Sequence, residues 1–329
     1  MKLMIQIPCL DEEATLPATL RDLPRQIEGI GAIEVLVIDD GSRDQTSQIA
    51  RENGADHVLR FAANRGLGNA FAAGMDYCLR EGADIIVNTD GDNQYCGADI
   101  EKLVRPILDG RAELVIGDRQ PGEIGHFSSS KKTLQKLGSR TVSRLANLDV
   151  PDVASGFKAY SRDAAARINT FGDFDHTVDH VIQAGRRRIP TLSVPIRTNE
   201  ALRQSRLFSS VGEFIARSLG VMVRVYSSYG AMKVFSLAGG LVMAGGIILG
   251  LRFVYFFFFT DHHSLHVQSL ILAAILMLAG FQMILTGIVA DLINGTRGLL
   301  EDVSYRLRRL EGARAKTSDA PGVDSPEQR

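Results

Sequence analysis

Two short acidic runs carry the chemistry open to this sequence. Asp90-Gly91-Asp92-Asn93-Gln94 sets two carboxylates one residue apart, with an amide oxygen two residues further on. Carboxylates held this close repel each other and are costly to keep ionised unless a cation sits between them. Oxygen donors of this kind suit Mg2+ or Mn2+ better than zinc, and Gly91 allows a close backbone approach. The second run is Asp39-Asp40-Gly41-Ser42. A carboxylate there can accept hydrogen bonds from a nucleobase or ribose. Taken alone, Asp40-Gly41 is equally a turn, with Ser42 or Asp44 capping the next helix. Asn64-Arg65-Gly66-Leu67-Gly68-Asn69-Ala70 is a glycine-rich turn that brings Arg65 toward the same region. It is not a dinucleotide fingerprint, because Phe71 stands where the third glycine belongs, and no Walker loop occurs.

A basic series follows. Lys132, Lys136, Arg140 and Arg144 are spaced four apart and make one stripe on a helix, suited to a phosphate, with a solvated face as the plain alternative. Arg203 and Arg206 are further candidates for a lipid phosphate or anionic headgroups.

The elements that must position these groups alternate along the chain. Strands are expected at Leu3–Ile7, Glu34–Ile38, His57–Phe61, Asp84–Thr89 and Glu113–Gly117. Helices are expected to open at Leu10-Asp11-Glu12-Glu13 and to cover Asp44–Gly54, Asn64–Gly82 and Asp99–Asp109. Continuous apolar strands alternating with helices predict a mostly parallel sheet with helices on both faces. Ligands of such sheets bind beyond the carboxyl ends of the strands, which is where both acidic runs fall. The start of the chain does not read as a signal peptide, since Gln6 breaks the apolar run and Asp11, Glu12 and Glu13 follow.

Apolar residues concentrate in two runs, at about 234–259 and 267–292, each with room for the roughly 20 residues of a spanning helix. The short link Asp261–His266 makes them a hairpin. Lys and Arg are dense before it and after it and absent from the link, so the large domain and both termini are expected in the cytoplasm. Leu207–Tyr229 reads as an amphipathic helix in the headgroup layer or packed on the domain, and the tail after Ala313 as disordered. The domains expected are therefore 1–205 catalytic, 206–232 amphipathic, 233–292 membrane hairpin, and 293–329 basic helix and tail. With 329 residues and a net charge of -1, nothing global points to nucleic acid. Cys9, Cys78 and Cys96 form no metal or redox pattern and read as free thiols. A two-helix anchor is thin, which leaves room for a homo-oligomer.

The runs IPCLDEEATL, VIDDGSRDQT, NRGLGNA, NTDGDNQY, GDRQ and ASGFKAYSRDA occur in this order. Together they resemble family 2 glycosyltransferases of the GT-A fold, a Rossmann-like α/β nucleotide-sugar-binding domain. Within these, the chain is similar to the polyprenyl-phosphate sugar transferases, the group of dolichol-phosphate mannose synthase-like and undecaprenyl-phosphate glucosyltransferase-like enzymes. The likeness covers residues 1–205, and a membrane hairpin also occurs in that group. It implies that Asp90, Asp92 and Gln94 hold the metal and that Pro8, Asp11, Glu12 and Asp39 line the nucleotide pocket, with Asp40 beside it. It places Arg119 at the reacting phosphates and the Ser155-Gly156-Phe157 segment at the active site. With Lys132, Arg140 and Arg203, Ser155 is a candidate for the acceptor phosphate, and Asp92, Arg119, Lys132 and Arg140 are the candidate catalytic residues. Cys96-Gly97 departs from the family, where prolines are usual.

The reaction implied is transfer of a hexose from a UDP-sugar or GDP-mannose to a polyprenyl phosphate, in one displacement with inversion. A phosphate monoester has a second pKa of about 6 and is already anionic at neutral pH, so no base is required. Asp175, His176 and Asp179 are second-rank candidates for a base should the acceptor be a hydroxyl of a glycan or lipid. A processive synthase is disfavoured because its tryptophan-containing motif is missing from a chain without tryptophan. A non-catalytic membrane adaptor is disfavoured by the intact acidic set, and a nicotinamide oxidoreductase by the missing fingerprint.

Overall fold

The computed structural model describes residues 1–120, 138–144, 146–170, 176–199, 231–259 and 267–318. Seven strands form one sheet: β1 (Lys2–Cys9), β2 (Ala32–Asp39), β3 (His57–Arg60), β4 (Ile85–Asn88), β5 (Leu114–Asp118), β6 (Lys158–Ser161) and β7 (Thr191–Pro195). Their order is β3-β2-β1-β4-β6-β5-β7. All neighbours pair in parallel except those of β6, which runs antiparallel to β4 and β5. The sheet is mostly parallel, as the apolar runs predict. The sequence reading contained neither β6 nor β7.

Helices α1 (Leu16–Asp22), α2 (Thr46–Glu52), α3 (Leu67–Arg80), α4 (Ile100–Leu108), α5 (Arg162–Arg167) and α6 (His176–Arg186) belong to the same unit. A core of Leu3, Ile5, Ile7, Leu20, Val37, Val87, Leu103, Val115 and Phe157 fills the space against the sheet. Burial of each such side chain contributes about 1.5–3 kcal/mol. Beta1 and β2 pair in register from Lys2↔Ala32 to Cys9↔Asp39, so their carboxyl ends lie side by side. The register Leu3↔Ile85 to Gln6↔Asn88 then aligns the end of β4, and with it the Asp90 loop, next to β1.

Two helix starts differ from expectation by three residues or more. Helix α1 begins at Leu16, not at Leu10. Asp11 is left-handed at φ 54°, and the N–H groups of Asp11, Glu12 and Glu13 go to side chains of the neighbouring loop instead of opening a helix. Pro17 sits in the first turn of α1, where its missing N–H costs nothing. Helix α3 begins at Leu67, not at Asn64, because Gly66 has φ 88° and its N–H is taken by Asp40.

A second unit, Gly212–Glu301, holds the apolar helix α7 (Ala231–Phe259) and the first part of α8 (Val267–Ser318). Met232–Phe259 and Gln268–Ile293 are long and apolar enough to cross a membrane. Their outer faces expose Leu241, Ile248, Leu278 and Leu292 by 66–72%. The helices touch backbone to backbone: a Cβ on Gly239 would lie 2.6 Å from the Gly280 carbonyl oxygen, and one on Gly280 would lie 2.6 Å from that of Gly239. Small residues at such contacts let spanning helices approach closely. Helix α8 continues to Ser318, past the polar turn in composition after Ala313. Of the segment 206–232, expected as amphipathic, residues 206–230 lie outside the described set, as do 319–329, while Ala231 and Met232 open α7.

Candidate active site

The site gathers at the carboxyl ends of β1, β2 and β4. The loops after β1 and β2 are stapled to each other. Asp11 N–H donates to Ser42 Oγ at 3.0 Å, and Arg43 N–H donates to Asp11 Oδ1 at 2.8 Å. Glu12 N–H donates to Thr46 Oγ1 at 2.9 Å, and the Thr15 hydroxyl donates to Glu12 Oε2 at 2.6 Å. Glu13 and Asp44 exchange further bonds with the N–H groups of Gln45 and Glu13. Pro8, Glu12, Asp39 and Asp40 are buried along this floor, and Asp11 is half-buried.

The two acids of the second run have separate local tasks. Asp39 accepts from Ser42 N–H at 2.7 Å and from the Ser47 hydroxyl, with Arg60 Nε 3.6 Å away. Asp40 uses both oxygens on the next loop, accepting from Arg65 N–H at 2.8 Å and Gly66 N–H at 2.9 Å. Asp40 thereby shapes an open cavity of about 720 Å³ lined by Phe61, Asn64, Arg65, Gly66, Asn69 and Ala73. The Arg65 guanidinium stacks over the Phe61 ring at 4.8 Å, a cation–π contact on the wall of that cavity.

The Asp90–Gln94 loop is tied down from three directions. The Gly91 carbonyl accepts from the Thr19 hydroxyl at 3.0 Å, and the Thr15 hydroxyl, shared with Glu12, lies at the same distance. Asn199 donates through Nδ2 to the carbonyls of Asn93 (3.1 Å) and Tyr95 (3.3 Å), while its N–H reaches the Gln94 carbonyl at 2.8 Å. On the third side a Cβ added to Gly156 would lie 3.1 Å from Asp90 Oδ1 and 3.3 Å from Oδ2, so glycine lets this wall close on the carboxylate without pushing it aside. Asn93 adopts φ 57°, and Asp92 Oδ1 accepts from Gln94 N–H at 3.2 Å. Beneath the loop lies Cys9, whose Sγ would be 2.7 Å from a Cβ on Gly91. Burial raises the Cys9 pKa well above its ordinary value, and Glu12, Asp39 and Asp90 raise it further, a measure of how much negative charge converges here.

Asp90, Asp92 and Gln94 are all half-buried and open to the carboxyl end of the sheet. Among the described residues no trio of His, Cys, Asp or Glu converges on one point. Two carboxylates and an amide oxygen are a sparse set, which fits Mg2+ or Mn2+, ions that keep waters and substrate oxygens in their remaining positions. The glycine wall against Asp90 and the acid-rich surroundings fit a bound cation as well.

Arg119, at the end of β5, forms a two-pronged pair with Asp152: Nε to Oδ2 at 2.6 Å and Nη2 to Oδ1 at 2.9 Å. Asp152 is fully buried. Burial works against the Arg119 charge, but Tyr95, Asp152 and Asp90 outweigh it and hold its pKa above the usual arginine range. Asp90 and Arg119 therefore share one electrostatic neighbourhood. Ser155 is fully buried, and its Oγ has no hydrogen-bond partner. Arg140 and Arg144 lie on the helical stretch 138–144 and are exposed. Lys132, Lys136, Asp175, Arg203 and Arg206 lie outside the described residues. His176 opens α6, and Asp179 accepts from Gln183 Nε2 at 2.9 Å.

Sequence reasoning missed Asn88, Tyr95, Asp152 and Asn199, and it placed Gly156 at the active site without its contact to Asp90. Asn88 and Tyr95 carried a signal, as the first and last residues of the NTDGDNQY run already singled out. Asp152 lies 33 residues from the arginine it holds, and no local pattern announces it.

The profile of the family described as Glycosyl transferase family 2 matches residues 4–168. The undecaprenyl-phosphate mannosyltransferase of Micrococcus luteus is 30% identical over 175 residues, covering 51% of this chain and 70% of that protein. A UDP-N-acetylglucosamine–dolichyl-phosphate N-acetylglucosaminyltransferase of Methanococcus voltae is 26% identical over 214 residues, covering 58% of this chain and 83% of that protein. Among solved structures, glucosyl-3-phosphoglycerate synthase from Mycobacterium tuberculosis, crystallised with Mn2+, UDP-glucose and phosphoglyceric acid, superposes with a TM-score of 0.54 at 20% identity. That superposition covers 70% of this chain and 80% of the other. It establishes the GT-A-like fold.

Proposed function

The chain is a member of glycosyl transferase family 2, and we propose that it transfers a hexose from a nucleotide sugar to a polyprenyl phosphate at a membrane surface, with inversion. The observation that carries this reading is the Asp90–Gln94 loop: two acids at the end of β4, clamped on three sides, within electrostatic reach of Arg119. The similarity to two transferases named for polyprenyl-type phosphates supports the acceptor class. Their donor sugars differ, so the donor here is a UDP-sugar or GDP-mannose.

Asp90, Asp92 and Gln94 would hold Mg2+ or Mn2+, which when bound neutralises charge on the departing diphosphate, an effect worth several kcal/mol. Pro8, Asp11, Glu12 and Asp39 form the floor for the nucleoside, with Asp40 and Arg65 shaping its neighbour wall. Arg119, fixed in direction by Asp152, presents charge to the phosphates. Arg140, Ser155 and the cations Lys132 and Arg203 receive the acceptor phosphate. A phosphate oxygen of the acceptor forms the new bond to the anomeric carbon as the bond to the diphosphate oxygen breaks; the acceptor is already anionic, so no side chain need remove a proton. The domain plan is 1–205 catalytic, 206–232 juxtamembrane, 233–292 hairpin and 293–329 a basic helix and tail, with the catalytic unit and both termini cytoplasmic by the distribution of Lys and Arg.

Detergent-purified full-length protein, incubated with polyprenyl phosphate, Mn2+ and a panel of radiolabelled nucleotide sugars, should label the lipid from one donor. Asp92→Ala should lose at least about 100-fold of that activity yet unfold at the same temperature, since the lost term acts mainly on the transition state. Full activity of Asp92→Ala in excess chelator would sink the cation assignment.

A further inference from the structure

A chain of buried amides runs beneath the acidic loop. Gln6 and Asn88 are register partners in β1 and β4, and both are buried. Gln6 Nε2 donates to Asn88 Oδ1 at 3.1 Å, and Asn88 Nδ2 donates to the Gly156 carbonyl at 2.9 Å. The Gly156 N–H donates to the Tyr95 hydroxyl at 3.1 Å. Both backbone groups of Gly156 are thus gripped, and it is this residue on which an added Cβ would press against the two Asp90 oxygens. Tyr95 is fixed in turn by stacking on Phe157, with ring centroids 4.9 Å apart and planes 11° apart.

For the fold alone the pair is a poor choice. Its neighbours along the two strands, Ile5, Ile7, Ile86 and Val87, are apolar and buried. Gln6 Oε1 has no hydrogen-bond partner, and a buried orphan of this kind costs about 1–3 kcal/mol. Two apolar side chains of similar shape would remove that orphan, in exchange for the donor to the Gly156 carbonyl. What the amides supply that leucines cannot is a directed hold on the Gly156 carbonyl.

We propose that Asn88, oriented by Gln6, is a positioning residue for the cation site: by holding Gly156 it fixes the Asp90 carboxylate in the direction a divalent cation requires. This rests on the reading of Asp90 as a metal ligand. Partners that orient metal ligands typically contribute 10- to 100-fold in metal affinity.

The test uses full-length protein in detergent, with Mn2+ binding followed by electron paramagnetic resonance in the absence of nucleotide, and thermal unfolding in parallel. The double variant Gln6→Leu/Asn88→Leu should fold, unfold close to the parent because the Gln6 orphan is removed as the Gly156 carbonyl loses its donor, and bind Mn2+ about 10- to 100-fold more weakly. Gly156→Ala, which presses a methyl group toward Asp90, should weaken Mn2+ by a similar factor. A folded double variant with parental Mn2+ affinity overturns the positioning role and leaves the cation site standing. Should the double variant not fold, Gly156→Ala decides alone: unchanged affinity overturns the proposal, and weakened affinity supports it. No Mn2+ binding by the parent itself overturns the cation reading and this proposal with it.

Discussion

The Arg119–Asp152 pair separates a structural role from a chemical one. Asp152 is fully buried and the Arg119 side chain is 19% exposed, so neither charge can be handed back to water if its partner is removed. Breaking such a pair from one side costs about 3–5 kcal/mol, because the remaining charge is stranded. Arg119→Met and Asp152→Asn should therefore each destabilise the catalytic unit by about that amount. For a domain of this size 1 kcal/mol moves the melting temperature by about 2–4 °C, so each single variant should melt about 6–20 °C lower. The double variant Arg119→Met/Asp152→Asn leaves no stranded charge and should regain most of the loss. Activity should behave otherwise. If Arg119 faces the reacting phosphates, both Arg119 variants should stay inactive, including the restored double. The assays are thermal unfolding of the detergent-solubilised full chain and lipid labelling below the lowest melting point. Two results refute the reasoning: single variants that melt with the parent, or a double variant that regains activity together with stability.

Two further outcomes follow from the geometry. Gly239→Val should disrupt the hairpin, since its Cβ would meet the Gly280 carbonyl at 2.6 Å, whereas Gly240→Val, with nothing within 4 Å, should be tolerated; comparable melting curves for the two in detergent would contradict the close crossing. Asp99 is buried, which alone would raise its pKa, but bonds from Arg197 and Lys102 prevail and lower it. Its contribution is then complete above the unfolded value of about 3.9 and fades as pH falls through the lower folded value. Asp99→Asn should cost stability at pH 7, and the gap to the parent should narrow toward pH 3; a gap independent of pH would count against the ion pair.

The parallel half of the sheet was legible because four of its strands are nearly uninterrupted apolar runs, and an acid run directly follows two of them. Beta6 was not, because it is four residues long and carries Lys158, a residue that reads as surface. In the fold Lys158 is fully buried, with Nζ donating to the Thr177 carbonyl at 2.7 Å. The acids Asp11, Glu12 and Glu13 looked like a helix's first turn because acids favour that place. Their N–H groups are instead taken by Ser42, Thr46 and Asp44, some thirty positions away, and no local pattern encodes that choice. The same limit hid the contact that walls the Asp90–Gln94 loop. Gly156 has meaning only once β6 is inserted beside β4, and the order of strands in space is not written in any one run of residues.

The mutual stapling of the β1 and β2 loops has a consequence for donor choice. A surface whose amides and hydroxyls are already satisfied by one another has little to gain by moving when a nucleotide arrives. Discrimination between bases then rests on fixed contours, which neither tighten around a good guest nor relax for a poor one. Loosening substitutions such as Ser42→Gly or Thr46→Ala should weaken every nucleotide alike. If Pro8 and Asp39 line the nucleoside as proposed, changing the preferred one calls for recarving the wall at those two places.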